Sequence, residues 1–436
     1  MPVALLAIYI ALIFIRPMDW WEPVLDWQLV NAVAVATLLV SFPQLMAQGK
    51  SLWKSYPPIR IAVFLLFGVT ISWIYPLWLT AMNTAFQEFG KVIVLFLLIV
   101  LLGRDQKRLQ ILVWTILLCI TWMAINSVLQ IQVGYGFGGI TPLERPIYSP
   151  EGELLRTVFQ TRAFGIFHDP NDLCLVFIIA IPLLFAQSRA ADGFATKIVA
   201  LILIPLAGYA AWSTNSRGGV VGIFGMIVAH TLVKTKSLFR RWLVASVGIA
   251  LITLVAPARF SFASDVSRSN LWGDGLEMFK RYPIFGVGYN AFGDYSTSEV
   301  GRVAHNSYIT ALAELGIVGY LPFVMLLFIV MVYVRRAANL SKVANTKHQF
   351  FLTGIFSALS GYLTAIYFLT RTYNHVLYIL LAVATCQVII ICKEPSHFED
   401  VFGSWPSLRL RALQWSAASI PVIWITVRLS NKLAGR

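Results

Sequence analysis

The chain has 436 residues, 58% of them hydrophobic and 12% charged, with a formal net charge of +14. A soluble domain carries about a quarter charged residues, and 14 Trp, 16 Tyr and 29 Phe exceed what an ordinary soluble core needs. A disordered chain, a disulfide-stapled secreted domain and most soluble enzymes are excluded, which leaves a multi-span membrane protein.

Apolar runs lie near residues 2–15, 29–47, 60–80, 86–102, 109–131, 172–187, 197–213, 218–233, 242–256, 317–334, 350–369 and 374–392. They predict an all-α polytopic integral membrane protein with about twelve transmembrane helices. The first run lacks a basic start, and Arg16 and Pro17 close it without a small-residue cleavage site, so a retained span is expected. Cys119, Cys174, Cys386 and Cys392 lie in or beside apolar runs without metal spacing and read as small buried hydrophobes. A further run, 412–427, is broken by Ser416, Ser419 and Pro421 and flanked by Arg409, Arg411 and Arg428. It reads as an interfacial or partly inserted helix.

The organisation expected is helices 1–5 in residues 1–131, a long segment 132–171, helices 6–9 in 172–256, and a second long segment 257–316. Helices 10–12 follow in 317–392, then a basic tail, 393–436. Lys and Arg set the orientation. With the N-terminus cytosolic, the inner loops and tail hold 22 of the 34 basic residues with five acids, giving +17 inside and −3 elsewhere. Both termini are then cytosolic and both long segments face outside, where short amphipathic helices and any chemistry are expected.

Along the outer face, Arg162 precedes Phe167-His168-Asp169-Pro170-Asn171-Asp172, a stretch that reads chiefly as a helix N-cap cluster. Glu88 and Lys91 read as an i, i+3 ion pair. Thr214-Asn215-Ser216-Arg217-Gly218-Gly219 forms a very short turn that keeps Arg217 at membrane depth. A guanidinium beside a helix N-terminus suits a lipid diphosphate, and two glycines permit close backbone approach. An arginine snorkelling to headgroups fits the spacing equally well.

Arg268-Ser269-Asn270-Leu271-Trp272 opens a short amphipathic helix, and Gly286 and Gly288 mark a turn after Pro283. Arg268 is a candidate second diphosphate contact. His305-Asn306 closes the loop nine residues before Glu314. A histidine at a helix N-terminus is held neutral by the positive dipole end and can act as general base. Spacing alone favours a plainer reading, an interfacial histidine bonded to loop backbone. Arg371, Tyr373, Asn374 and His375 form another short outer turn. No metal-spaced cluster and no phosphate-binding glycine loop is present in the sequence, so neither cofactor nor metal is expected.

Together these segments resemble the O-antigen ligase and polymerase superfamily of bacterial envelope enzymes. The resemblance rests on Ser216-Arg217-Gly218, the run from Arg268 to Trp272, Tyr282-Pro283-Ile284-Phe285-Gly286-Val287-Gly288, His305-Asn306 with Glu314 and Gly316, and the stretch from Phe167 to Asn171; it spans about residues 160–335. It implies transfer of a glycan from an undecaprenyl-diphosphate carrier to an acceptor hydroxyl at the outer face of the inner membrane. Arg217 and Arg268 would bind the diphosphate and His305 would activate the acceptor, with Arg162, Asn306 and Glu314 as possible supporting residues. The partners implied are that donor, a glycolipid or other hydroxyl-bearing acceptor, and membrane lipid, with no nucleic acid. A repeat-unit polymerase and a lipid-linked oligosaccharide transporter are the alternatives, and the long loop 257–316 leaves the acceptor open.

Overall fold

The computed structural model describes residues 1–75, 77–148, 153–234, 262–344, 346–393, 395–403 and 405–433. The first elements are α1 (Pro2–Ile15), α2 (Leu29–Ser55), α3 (Pro57–Ile71), α4 (Leu79–Leu102) and α5 (Gln106–Gln132), then strands β1 (Leu143–Tyr148) and β2 (Leu154–Gln160). Next come α6 (Pro170–Ala190), α7 (Phe194–Ser213), α8 (Arg217–Lys234), α9 (Phe262–Arg281) and the short α10 (Phe292–Tyr295). The chain continues with α11 (Ser307–Ala344), α12 (Thr346–Ala365), α13 (His375–Ile391), α14 (Pro395–Phe402) and α15 (Trp405–Leu433). Among the described residues, seven helices are long and apolar enough to cross a membrane: α1, α2, α4, α5, α6, α7 and α11. Shorter apolar helices are α3, α8 up to Thr231, and α13. The protein is an all-α multi-pass membrane protein, and the expected ninth span, 242–256, lies outside the described residues.

The chain divides into two compact units. One comprises residues 1–45, 102–252 and 338–365. Its centre is α6, buried from Leu173 to Ala180 and packed on α7, α8 and α12. Without a hydrophobic drive between helices in lipid, close approach comes from small residues. A Cβ added at Gly222 of α8 would lie 3.0 Å from the Gly361 carbonyl oxygen of α12, and one at Gly354 would lie 2.8 Å from the Pro182 carbonyl oxygen of α6. Caps set the helix starts: Asp105 accepts from the amides of Lys107 and Arg108, and Asp169 from that of Asn171, with Pro170 opening α6.

The other unit comprises residues 46–101, 253–337 and 366–436. Its core is α13, buried from Val376 to Ile389, with α4 and α11. All four cysteines are free and buried.

Three elements depart from the expected pattern. The first long segment carries an antiparallel β1–β2 pair rather than a short amphipathic helix. The β-branched and aromatic residues Ile147, Tyr148, Thr157, Val158 and Phe159 suit a ribbon, and pairing satisfies the backbone locally. The third expected span, 60–80, stops at Ile71, because Ser72 turns its hydroxyl back to the Val69 carbonyl and accepts from the Tyr289 amide. The eleventh, 350–369, ends as α12 at Ala365, because the carbonyls of Ile366 and Leu369 accept from the backbone amide and the hydroxyl of Ser307.

Candidate functional site

His305 immediately precedes the residue that caps α11, with a left-handed backbone at φ 50°. Histidine tolerates this region better than most residues, at a cost of about 1–3 kcal/mol that surrounding contacts must offset. Those contacts are dense. The Asn306 side chain accepts from the amides of Tyr308 (2.9 Å) and Ile309 (3.1 Å), capping the helix. Ser307 donates to the Leu369 carbonyl at 2.6 Å and accepts from the Arg371 amide at 2.7 Å, while its carbonyl accepts from the Thr372 hydroxyl. On the other side, the Trp272 indole donates to the carbonyl of Ala304 at 2.8 Å. His305 is thus pinned by backbone bonds on both sides and is itself half-buried.

Arg268 lies one helical turn before Trp272 on α9, so that indole ties the arginine's helix to the histidine's backbone. Further along α9, Asp274 accepts from the hydroxyls of Ser296, Thr297 and Ser298 and from the amides of Thr297 and Ser298, at 2.8–3.0 Å. Partial burial raises the Asp274 carboxyl, but these donors together outweigh that and hold it below the usual carboxylate range.

Glu314 is 2% exposed and serves as a staple. Its carboxylate accepts from the Phe292 amide at 3.1 Å and from the Tyr373 hydroxyl at 2.7 Å. Two residues on, Gly316 (φ 55°, ψ −161°) breaks α11 and orphans backbone groups that the helix would have paired. The loop 283–288 satisfies them. The Val287 and Gly288 amides donate to the Ala313 and Glu314 carbonyls, and the Ile317 and Val318 amides donate to the Pro283 and Ile284 carbonyls. A Cβ at Gly286 would sit 2.3 Å from the Glu314 backbone, and one at Gly288 would sit 2.6 Å from the Trp73 ring. The close approach expected of these glycines is therefore between two parts of the chain. Burial pushes the nearby Tyr289 hydroxyl up to about 12, with Glu88 and Glu314 adding to the shift.

Arg217 opens α8 in the other unit, after Asn215 (φ 49°) and the capping residue Ser216. Ser216 accepts from the Gly219 amide at 3.1 Å and donates to Asn171 at 2.7 Å. Gln160 reaches the Thr214 carbonyl, Asn215 reaches the Phe159 carbonyl, and Thr161 bonds Ser213. The end of β2 and the start of α6 thus hold the Arg217 turn. Arg217 is half-buried, and a cation at the positive end of a helix is favourable only with an anion nearby. Gly219 faces Cys174, where an added Cβ would lie 2.2 Å from the sulfur, so this glycine serves helix packing rather than a ligand. The Arg162 guanidinium donates to the Thr141 carbonyl and contacts His168, both at 3.0 Å, which makes it a strut of this loop.

His305, Asn306, Glu314 and Arg268 therefore belong to one unit, and Arg217 and Arg162 to the other. Glu88 and Lys91 form the expected ion pair at 2.8 Å. Two residues gain importance over their sequence reading. Trp272 stood only in a motif, and its indole needed the fold to show a partner. Asn171 read as part of a cap cluster, whereas its side-chain oxygen serves Ser216.

No curated protein sequence matches the chain. A family model described as O-antigen ligase matches residues 198–324. That window runs from α7 into α11 and contains Arg217, Arg268, His305, Asn306 and Glu314, while Arg162 and the 167–171 stretch lie outside it. Over this window the chain is similar to the O-antigen ligase superfamily.

Proposed function

We propose that the protein is a membrane glycosyltransferase of the O-antigen ligase type. It moves a glycan from undecaprenyl diphosphate to an acceptor hydroxyl at the outer face of the bacterial inner membrane, and both of its long segments face the periplasm. The observation that carries this reading is the family match over 198–324, which includes both arginines and the histidine assigned to the chemistry. In this scheme His305 accepts the acceptor's hydroxyl proton as the oxygen bonds to the anomeric carbon. The bond from that carbon to the diphosphate oxygen breaks, and the leaving group departs with the electron pair. Arg217 and Arg268 stabilise the charge that develops on the diphosphate. Attack from the face opposite the leaving group inverts the anomeric centre.

The supporting residues divide by what they touch. Asn306 caps α11 with its oxygen, and its amide nitrogen is buried without a partner among the described residues, which offers a donor toward substrate. Glu314 holds the loop at Phe292 and the turn at Tyr373, and so supports the shape of the site rather than the proton transfer. Arg162 braces the loop that meets the Arg217 turn. No step calls for a metal or nucleotide.

The test is transfer in vitro with purified protein, undecaprenyl-diphosphate glycan, and either core glycolipid or more donor. Product on the core glycolipid is expected. Chain lengthening without core would make the protein a polymerase, and no product with either acceptor would favour transport.

A further inference from the structure

We propose that α15 crosses the membrane, with its outward face covered by lipid acyl chains, so that residue 433 lies at the His305 end of its unit. The inference does not depend on the glycan-transfer reading, and it departs from the expected interfacial helix and cytosolic tail.

The course of α15 follows from contacts in order along α11. Just before α15 begins, the Val401 carbonyl accepts from Arg336 at 2.9 Å, and Phe402 packs on Tyr333 with ring centroids 4.6 Å apart. Trp415 then stacks on Phe328 at 6.4 Å, and Ser419 meets the Tyr320 hydroxyl at 2.7 Å. Thr426 hydrogen-bonds Tyr367, whose ring lies 6.2 Å from that of Tyr308 and 5.8 Å from that of Trp272. Finally, Asn431 lies 3.4 Å from the position of a Cβ on Gly273 of α9. The helix thus runs antiparallel to α11, itself long and apolar enough to span, from the Arg336 end to the Ser307 end.

The outward face identifies what covers it. Leu410, Leu413, Trp415, Val422, Trp424, Ile425 and Leu429 are all exposed, while Leu408, Ala412, Ile423 and Val427 are buried against the unit. At about 1.5 Å per residue, Leu410 to Leu429 covers about 29 Å, close to the roughly 30 Å hydrocarbon thickness. Residues 412–427 hold no charge, with Arg409 and Arg411 before them and Arg428 after them. The Arg428 guanidinium stacks over Trp424 at 4.0 Å, an arrangement suited to the membrane–water boundary. The hydroxyls that interrupt the run are satisfied inside it: Ser416 donates to the Ala412 carbonyl, Ser419 to that of Ser416, and Thr426 to that of Val422. Internal satisfaction is what lipid demands of polar groups.

Single cysteines in the full chain, probed in intact cells and open membrane vesicles with a membrane-impermeant maleimide, test this. The native cysteines are buried and give low background. Arg428→Cys is expected to label from the same side as Val300→Cys, in the exposed loop before His305, and from the side opposite Lys393→Cys. Val422→Cys and Ile425→Cys should stay unlabelled until detergent is added. Arg428→Cys labelling with Lys393→Cys would overturn the proposal, and so would labelling of Val422→Cys in intact membranes at the rate of Arg428→Cys. Oxidative self-pairing of Val422→Cys would put a second copy of the chain on this face and overturn the lipid assignment. Alkaline phosphatase fused after residue 436, which leaves α15 unaltered, should be active if Val300→Cys labels in intact cells and inactive if it does not; the reverse pattern would also overturn the proposal.

Discussion

The starts of α8 and α11 are built alike and carry different residues at one key place. Each has a non-glycine residue in the left-handed region, Asn215 at φ 49° and His305 at φ 50°, followed by a capping residue, Ser216 or Asn306. At α8 the functional candidate, Arg217, follows the cap and lies within the first turn. At α11 the candidate is the left-handed residue itself, ahead of the cap. Position relative to the cap fits the proposed roles. An arginine in the first turn adds its charge to the positive helix end and suits a ligand anion. A histidine outside the cap has its ring direction set by a strained backbone.

The most severe way to break this contrast is to remove the two side chains. His305→Ala is expected to lower transfer by about 10²–10⁴-fold, the usual worth of a general base, while donor binding is retained. Arg217→Ala should weaken donor binding by about 10- to 100-fold, in line with about 1.5–3 kcal/mol for a hydrogen bond to a charged group. Binding of a labelled undecaprenyl-diphosphate glycan separates the two. If His305→Ala also loses the donor, the division of roles between the helix starts is wrong.

The supports come next. Trp272→Phe keeps the ring but removes the donor to Ala304, at a cost of about 0.5–1.5 kcal/mol for one hydrogen bond. A fall of up to about 10-fold in kcat with unchanged donor KM would mark Trp272 as a positioning residue for His305. A merely structural role would instead lower thermal stability and leave kcat per folded molecule intact. Asn171→Ala is the counterpart at α8, where it removes the Ser216 contact. It is expected to raise donor KM several-fold with little change in kcat. Asn171→Asp keeps an acceptor for the Ser216 hydroxyl and should restore most of the affinity.

The two starts also differ in what sequence alone disclosed. Hydropathy located nearly every described span, and charge, turn residues and spacing singled out Arg217, Arg268 and His305. The supports stayed hidden because they act across long separations: Trp272 on Ala304, Ser216 on Asn171, Tyr373 on Glu314. Gly219 is expected to admit a ligand, yet it fills a gap against Cys174, whereas Gly286 and Gly288, read as a turn, approach the Glu314 backbone and Trp73. A glycine signals close approach without naming the partner. The β1–β2 pair is hidden because its strands, Leu143–Tyr148 and Leu154–Gln160, show no period-two alternation of apolar and polar residues. The helical nature of 412–427 was visible, but its serines diluted the apolar signal, and only their bonds within the helix show that lipid can accept them.

Acid should separate the two helix starts by a smaller effect. The loop leading to His305 is clamped at Ser296, Thr297 and Ser298 by Asp274, whose carboxyl is held below its ordinary range. A depressed acid contributes stability that is fully present above its unfolded value, about 3.9 for Asp, and is lost as pH falls through the lower folded value. The clamp should therefore hold from neutral pH down to about pH 4 and release only in stronger acid. The bonds that tie the Arg217 turn to its neighbours run through Gln160, Thr161, Asn171 and Asn215, which do not titrate. Hydrogen exchange on the purified protein should show residues 296–304 losing protection below that pH while residues 213–217 keep theirs. Asp274→Asn keeps part of the bonding but lacks the charge, so loop exchange should be faster at neutral pH and nearly independent of acid. If both segments open together, the His305 loop is held by something other than this carboxylate.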